Sequence, residues 1–205
     1  MSLDLCFKMW SEKVKVHPWI GIHYEKPTIF RYKTLILGES NYTTPENFGP
    51  DLVNGCVCND IGDDKPRDTR GFCKFSTKIR RVIFGRDTKI DPKEFWSNVT
   101  FYNFVQDRVG DKSKVRPTDQ MWIGSVEPFA EVVVKLMPER ILVLGKENWS
   151  KLLKHFKNTK VDEIKTNLFV DSYNVLAGYI VHPSAGRGFS YEKWQPVAKA
   201  IILED

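Results

Sequence analysis

The chain has 205 residues, of which 41% are hydrophobic and 28% are charged, and its formal net charge is +5. Such a length and composition suit one globular domain with a complete core. The sequence contains no apolar run of about 18 residues, so it predicts no membrane-spanning helix. Acidic and basic residues interrupt Met1–Ile20, which argues against a secretory signal. We therefore expect a cytoplasmic monomer whose modest basicity would suit a polyanionic partner without requiring one.

Four cysteines raise the question of a metal or cluster site. Cys56 and Cys58 are separated by one residue, whereas zinc and iron–sulfur motifs usually separate their ligands by two or more. Cys73 falls in a predicted helix, and Cys6 is remote from the other three. We predict reduced thiols, no metal site and no cofactor.

The first half of the chain predicts one strand and one long helix. Residues 1–32 scatter aromatic residues among charges and predict an irregular extension packed on the domain. Lys33–Gly38 is a continuous apolar run, typical of a strand covered on both faces. Residues 40–70 are rich in Asn, Asp, Pro and Gly and predict a long loop. Phe72–Phe84 repeats apolar residues at helical spacing.

The second half alternates helices and strands. Asp91 and Pro92 start a short predicted helix, and Val99–Val105 predicts a strand because it is rich in β-branched and aromatic residues. Thr118 is a suitable cap for a helix that reaches about Met137. The remaining predicted elements are a strand at Arg140–Gly145, a helix at Asn148–Phe156, a connection at Asn158–Lys165, strands at Asn167–Tyr173 and Ala177–Val181, and a helix at Ser190–Leu203.

This alternation predicts an α/β fold, a three-layer α/β/α sandwich with a mostly parallel central sheet. We expect a single domain over residues 1–205, because no repeat or linker is visible. Ligands of open α/β sheets bind beyond the carboxyl ends of the strands. Two loops follow such ends here, one running from Gly38 to Tyr42 and the other from His182 to Gly188. The sequence therefore predicts that both loops face one cleft.

Several common kinds of site are excluded by their missing motifs. The chain has no Gly-x-Gly-x-x-Gly and no Gly-Lys-Ser/Thr, which removes the dinucleotide and P-loop interpretations. Neither Ser40 nor Ser184 lies in a Gly-x-Ser-x-Gly elbow, which argues against a serine hydrolase.

Asn103 and His182 are the most informative polar residues. Asn103 lies near the end of a predicted strand, and strand interiors disfavour asparagine. Its carboxamide offers one acceptor and two donors that match the edge of a pyrimidine base. A local hydrogen bond to backbone is the alternative for Asn103. For His182, which follows the last predicted strand, a structural role is an equal alternative.

The order of these motifs resembles the uracil-DNA glycosylase superfamily. A strand ending in Gly-Glu-x-x-Tyr at residues 38–42, an apolar strand carrying Asn103, and a strand ending in His-Pro-Ser at residues 182–184 occur there in the same order. The chain resembles the small single-domain members over roughly residues 33–203. The resemblance implies a uracil-DNA glycosylase-like fold and a DNA-repair enzyme that flips uracil, or a related deaminated base, out of DNA and hydrolyses its N-glycosidic bond.

Two other functions stay open. One is a catalytically weak or inactive member of the same fold that binds nucleic acid or a nucleobase. The other is an enzyme on the same scaffold that acts on a free nucleoside or another small molecule, because a fold does not determine a function.

The resemblance also assigns roles in base recognition. It implies that Asn103 recognises the amide edge of uracil, and that His182 donates to uracil O2 as negative charge develops on the leaving base. Tyr42 takes the place of a tyrosine that blocks the thymine methyl group in some families. Phe72 is the expected stacking partner of the base, and Gly38 allows the base to approach the backbone closely.

The loop after His182 is the expected DNA contact. The resemblance implies that Ser184 and the backbone amides of Ala185 and Gly186 bind phosphate. It places Arg187 or Phe189 where the wedge that probes the duplex is found.

The water-activating group departs from the family pattern. Two residues after Gly38, these families supply an acid or an asparagine, but this chain has Ser40, followed by Asn41 in place of the usual proline. Serine is not a base at neutral pH. Glu39 and Asn41 are the remaining candidates to orient water.

Overall fold

The computed structural model describes residues 10–62, 70–111, 115–185 and 188–204. No helix in these ranges is both long and apolar enough to cross a membrane. The strands are β1 (Trp19–Ile20), β2 (Thr34–Gly38), β3 (Asn41–Tyr42), β4 (Val99–Asn103), β5 (Arg108–Gly110), β6 (Arg140–Leu144), β7 (Lys157–Lys160), β8 (Lys165–Val170) and β9 (Tyr173–Ile180). The helices are α1 (Leu52–Ile61), α2 (Arg70–Phe84), α3 (Pro92–Asn98), α4 (Asp119–Gly124), α5 (Val126–Leu136), α6 (Lys146–His155) and α7 (Tyr191–Ile202).

Seven strands form the main sheet, in the order β1-β4-β2-β6-β9-β8-β7. Its centre is parallel, because β2 pairs with β4 and β6, and β6 pairs with β9, all in the same direction. Its borders are antiparallel: β1 pairs with β4, β8 with β9, and β7 with β8. The sheet is therefore mixed and not mostly parallel as predicted: three of its six strand pairings are parallel, and these lie at its centre. A separate pair, β3 and β5, lies beside it.

Helices cover both faces of this sheet. On one face, Leu35 and Leu37 of β2 belong to a buried cluster that includes Phe129 and Leu152 from α5 and α6. On the other face, Ile36 belongs to a second cluster that α1, α2, α3 and α7 complete. Consecutive strand residues point to opposite faces, so a continuous apolar strand supplies both clusters. The result is an α/β fold with one sheet between two layers of helices.

The segment predicted as a loop over residues 40–70 contains a helix, so that prediction was wrong in part. Helix α1 occupies Leu52–Ile61 and buries Val53, Val57 and Asp60. Asn54, Gly55 and Asn59 interrupt its sequence, and these residues have low helix propensity. Tertiary packing of the two valines against the second cluster therefore overrides the local signal.

Other elements also differ from the predictions. The extension over residues 1–32 contains the short strand β1. The predicted connection after α6 contains β7. All four residues of β7 are exposed, so its sequence has no alternation of apolar and polar residues that would predict a strand. The predicted helix from Thr118 is two helices that meet at Ser125, whose hydroxyl donates to the Met121 carbonyl oxygen over 2.7 Å. The Thr118 cap is confirmed, since its side chain accepts from the backbone N–H of Met121.

Asp60 joins three helices beneath the second cluster. Its Oδ2 accepts hydrogen bonds from Ser76 (2.6 Å), Arg80 (2.7 Å) and Trp96 (2.8 Å). Burial alone would raise the pKa of Asp60, but these hydrogen bonds and the Arg80 charge together lower it. Asp60 is thus a buried carboxylate that links α1 to α2 and α3.

Candidate functional site at the carboxyl edge of the sheet

Four strand ends bring polar and glycine residues to one edge of the sheet. Gly38, at the end of β2, is the register partner of Asn103 at the end of β4. Gly145 follows β6, and its N–H donates to the Ile180 carbonyl oxygen at the end of β9 over 2.8 Å. Gly145 has φ +108°, and a Cβ at that position would lie 3.7 Å from the His182 Cβ. Since β2 and β6 are neighbours, Gly38, Asn103, Gly145 and His182 define one location, named here the carboxyl-edge site.

The carboxamide of Asn103 is fixed by a second asparagine. Its Nδ2 donates to Asn41 Oδ1 over 2.9 Å, and Asn41 Nδ2 donates in turn to the Val105 carbonyl oxygen over 2.9 Å. Asn41 is 2% exposed. The Asn103 oxygen lies directly above Gly38, where a Cβ would be only 2.0 Å away. Asn103 is therefore an oriented amide, and in the described part of the chain its second side-chain N–H and its Oδ1 form no further hydrogen bond.

The ring of His182 is held on two sides. It stacks on Phe75 of α2, with centroids 5.2 Å apart and planes inclined by 17°. The backbone N–H of Ser184 donates to its Nδ1 over 3.2 Å. A neutral histidine whose Nδ1 accepts a hydrogen bond must carry its proton on Nε2.

His182 is also kept neutral by its surroundings. Burial, and then the positive charges of Arg116 and Lys78, lower the pKa of His182 to about 4. At neutral pH the imidazole is therefore uncharged and presents Nε2–H as a donor.

Helix α2 fixes the loop that follows His182. Lys78 Nζ donates to the Pro183 carbonyl oxygen over 2.9 Å.

Phe72, the predicted base-stacking residue, is half-buried, and its ring lies 5.9 Å from that of Trp96 and 5.8 Å from that of Phe101. Phe75 lies between Phe72 and His182, with its ring 6.0 Å from that of Phe72. Phe72 is therefore separated from His182 by one aromatic ring.

Glu39 is paired with Arg116, a residue to which the sequence interpretation gave no role at the site. Arg116 contacts both carboxylate oxygens of Glu39, over 2.8 and 2.9 Å, and also pairs with Glu147 at the start of α6. The side chain of Glu39 is 11% exposed, whereas that of Arg116 is 51% exposed. Ser40 donates weakly to Glu39, over 3.4 Å. The acid nearest the carboxyl-edge site thus carries an ion pair.

Tyr42 lies on β3, beside the main sheet. Its hydroxyl donates to the Val115 carbonyl oxygen over 3.2 Å, and burial raises the pKa of Tyr42. This contact fixes the ring against the segment that leads to Arg116.

The predicted DNA-contact loop is only partly described. Ser184 is exposed, and the N–H of Ala185 is used in a turn, since it donates to the His182 carbonyl oxygen over 2.8 Å. Phe189 is half-buried and packs edge-on against Tyr191, with centroids 5.2 Å apart. Gly186 and Arg187 lie outside the described residues.

Four contributors to the site were missed by sequence reasoning. Phe75 falls on the apolar stripe of α2, which looks like core in sequence, and Arg116 and Lys78 reach the site from distant segments. Asn148 of α6 is buried, and its Nδ2 donates to the Gly38 carbonyl oxygen over 2.9 Å. Of these four residues, only Asn148 had a usable signal in the sequence, as an asparagine at a predicted helix start. If such a residue is buried, its amide needs hydrogen-bond partners.

The described residues contain no group of three or more His, Cys, Asp or Glu side chains that could hold a metal ion. The arrangement can therefore be described through its own donors and acceptors: an oriented amide, a neutral imidazole with an Nε2–H donor, and a carboxylate paired with arginine.

Comparison with known proteins adds no family to this description. No family model matches the chain, and no curated protein is similar to it.

Proposed function

We propose that this chain has a uracil-DNA glycosylase-like fold and is a DNA glycosylase that hydrolyses the N-glycosidic bond of uracil or a related deaminated base. One observation carries the proposal: an oriented amide, Asn103, and a neutral histidine with a proton on Nε2, His182, lie at the same sheet edge. The other supports are the order of the motifs and the placement of Gly38 beside Asn103.

His182 supplies the group that a departing base needs. As the glycosidic bond breaks, negative charge develops on the base oxygens, and a donor that is already in place stabilises that charge without reorganisation. A neutral imidazole can donate a hydrogen bond without transferring a full proton. Because the pKa of His182 is about 4, this form dominates throughout the neutral range.

Asn103 supplies selectivity for an imide edge. Its free N–H suits a carbonyl oxygen of the base and its Oδ1 suits an adjacent ring N–H. Uracil presents both groups side by side. Cytosine presents an amino group and an unprotonated nitrogen there, so it would leave both groups of Asn103 mismatched, at the full desolvation cost of two unpaired polar groups.

Water orientation falls to Glu39 in this proposal. It is the carboxylate that directly follows β2, and it is largely buried. Arg116 keeps this carboxylate in one position through contacts to both of its oxygens. Ser40 contributes a hydroxyl that contacts Glu39 and Tyr42.

The same ion pair favours a second candidate, a catalytically weak or inactive protein that binds DNA or a nucleobase. A carboxylate whose two oxygens both contact Arg116 has less capacity left for a water molecule. In that case Asn103 and His182 would recognise a base without releasing it.

A strand-scission assay tests the enzyme proposal. Labelled oligonucleotides containing uracil, hypoxanthine or xanthine, single-stranded and duplex, are incubated with the protein and then treated with alkali. We expect cleavage at uracil that His182→Ala and Asn103→Ala each reduce by at least about tenfold, or roughly 1.4 kcal/mol of transition-state stabilisation. The matched controls are His23→Ala and Asn47→Ala, which change residues outside the carboxyl-edge site and should cleave like the wild type.

Binding measurements separate the alternatives. If no base is cleaved but oligonucleotides bind with an affinity that falls steeply with salt, the protein is a binder and not a glycosylase. Absence of both cleavage and binding would overturn both proposals and direct attention to small-molecule substrates, whose binding depends little on salt.

A further inference from the structure

A concavity of about 310 Å³ lies at the end of α2 and shares no residue with the carboxyl-edge site. Arg80 lines it although only 8% of this residue is exposed, so Arg80 forms part of its floor. Arg81, Arg86 and Lys89 line it as exposed residues, together with one acid, Asp87. The lining therefore carries four cations and one carboxylate.

The floor of this concavity is rigid. Arg80 donates through its Nη1 to Asp60 over 2.7 Å and to Ser76 over 2.5 Å, and through its Nη2 to Thr77 over 3.2 Å. Asp60 is itself fully buried. A buried arginine with three partners is an ordered group rather than a solvated side chain.

Among the described residues, no acid forms an ion pair with the exposed cations of this concavity. Neither Arg81, Arg86 nor Lys89 forms an ion pair with another residue in the part of the chain that the structure describes, whereas Lys13, Lys15, Arg108, Arg116, Lys151 and Lys160 each contact a carboxylate. Glu192 of α7 feels the Arg86 charge only as a minor contribution to the lowering of its pKa, after its hydrogen bond with Ser190. Among the described residues, the three exposed cations of the lining thus outnumber its one carboxylate, Asp87.

We infer that this concavity binds phosphate groups, and we name it the α2 phosphate site. Convergent guanidinium groups match the geometry of phosphate oxygens, and a concave basic surface concentrates anions more strongly than a flat one. The stabilisation of a helix C-terminus by basic residues explains Arg81 alone, because Arg86 and Lys89 come after the last residue of α2. The phosphate could belong to the backbone of a nucleic acid or to a free phosphate compound. This inference does not depend on glycosylase activity.

The test compares two variants that each remove three positive charges. Arg81→Gln/Arg86→Gln/Lys89→Gln alters the α2 phosphate site and leaves Arg80 with its buried partners. Lys154→Gln/Lys157→Gln/Lys160→Gln changes exposed residues in α6 and β7, outside the lining of the concavity. Thermal unfolding verifies that both variants fold.

Two probes distinguish the sources of phosphate. Fluorescence anisotropy measures binding of a short unmodified DNA duplex over a series of salt concentrations, and calorimetry measures binding of inorganic pyrophosphate. We expect the α2 variant, relative to the lysine control, to lose at least about tenfold in affinity for one probe. If that probe is the duplex, the slope of log affinity against log salt should also become shallower by about 0.9 for each phosphate that the variant no longer neutralises.

Each outcome is decisive. Loss for the duplex alone assigns the site to a nucleic-acid backbone, and loss for pyrophosphate assigns it to free phosphate compounds. Equal behaviour of the two triple variants toward both probes, or no binding of either probe by the wild type, would overturn the inference. Cleavage of uracil-containing DNA is measured separately, so failure of the glycosylase proposal cannot be mistaken for failure of this one.

Discussion

Asn103 Nδ2 donates to Asn41 Oδ1 over 2.9 Å, although the two residues lie 62 positions apart in the chain. Asn41 is itself held by the Val105 carbonyl oxygen, two residues beyond Asn103. The two loops that leave β2 and β4 are thus joined by side-chain amides as well as by the register of the sheet. Asn41 therefore fixes the orientation of the Asn103 amide.

Replacing Asn41 should separate orientation from stability. Asn41→Ala removes the partner of Asn103 and leaves the buried Val105 carbonyl oxygen short of one hydrogen bond, so we expect a stability loss of about 1–3 kcal/mol together with at least tenfold weaker kcat/KM. Asn41→Asp retains the acceptor for Asn103 and loses the donor to Val105. It should therefore lose stability but keep more of the activity. Chemical denaturation and steady-state cleavage of uracil-containing DNA measure the two effects, and identical activity losses would contradict the positioning role.

The stacking of His182 on Phe75 should control the pKa of the histidine. Burial is the largest cause of its lowering to about 4, so Phe75→Leu, which opens one face of the ring, should raise the pKa of His182 toward the ordinary 6.5. NMR titration of the ring protons measures this directly. An unchanged pKa in Phe75→Leu would show that the loop, and not the stack, buries the ring.

The same shift has a consequence for stability. Between pH 6.5 and about 4 the unfolded chain binds more protons at His182 than the folded chain does. The free energy of unfolding must therefore fall as pH falls through this window, by roughly 3 kcal/mol from this group. Phe75→Leu should show a smaller fall over the same window when denaturation curves at pH 7 and pH 4.5 are compared.

The central strands could be predicted from sequence because their apolar runs are local signals. Ile36 and Leu142 lie in continuous aliphatic stretches, and both are fully buried in parallel strands. Helix α1 and strand β7 could not be predicted in this way. Helix α1 is stabilised by the burial of two valines, Val53 and Val57. Strand β7 is defined by its pairing with β8. Both depend on tertiary contacts that leave little trace in the local pattern.

The residues of the site divide in the same way, into those that a local sequence pattern predicts and those that depend on tertiary contacts. Gly38, Asn103 and His182 can be placed at one edge because each follows a strand whose end is visible in the sequence. Arg116 lies 77 positions from Glu39 and in a polar segment with no periodicity. The helical spacing of apolar residues along α2 predicts that Phe75 faces the core. It does not predict that the Phe75 ring stacks on the imidazole of His182. Pairings of this kind depend on how loops cross the strand ends.

Gly38 should tolerate no side chain, because a Cβ there would collide with Asn103. Alanine substitutions at Gly38 and at Gly55 test this explanation. A Cβ at residue 38 would lie 2.0 Å from Asn103 Oδ1 and 3.1 Å from Phe101 Cζ. Gly38→Ala should displace the amide of Asn103, so we expect base recognition to fall at least tenfold. Gly55→Ala, in the middle of α1, meets nothing within 4 Å and should stabilise the protein by about 0.5–1 kcal/mol without loss of activity. Thermal unfolding and oligonucleotide cleavage test the pair.

The two glutamates on Arg116 provide a matched comparison for water orientation. Both pair with the same guanidinium, but Glu39 is 11% exposed beside the site and Glu147 is 47% exposed at the start of α6. Glu39→Gln should lower kcat at least tenfold with little change in KM, because it removes the carboxylate that would orient water. Glu147→Gln should change kcat by less than about threefold. Equal losses in single-turnover cleavage assays would show that both glutamates act only through Arg116.

Asp60 tests how far the core beneath α2 depends on a charge. Asp60→Ala leaves Arg80, which is 8% exposed, without its carboxylate, and breaking a buried pair on one side costs about 3–5 kcal/mol. Asp60→Leu/Arg80→Met removes both charges and should cost less than the sum of the two single changes, since neither partner is then left unpaired.

Because the pKa of Asp60 is lowered in the folded chain, its contribution to stability is present at neutral pH and is lost as the carboxylate becomes protonated in acid. Urea denaturation at pH 7 should therefore separate Asp60→Asn from the wild type more widely than denaturation at pH 3. A difference that does not depend on pH would show that Asp60 acts through its hydrogen bonds to Ser76 and Trp96 and not through its charge.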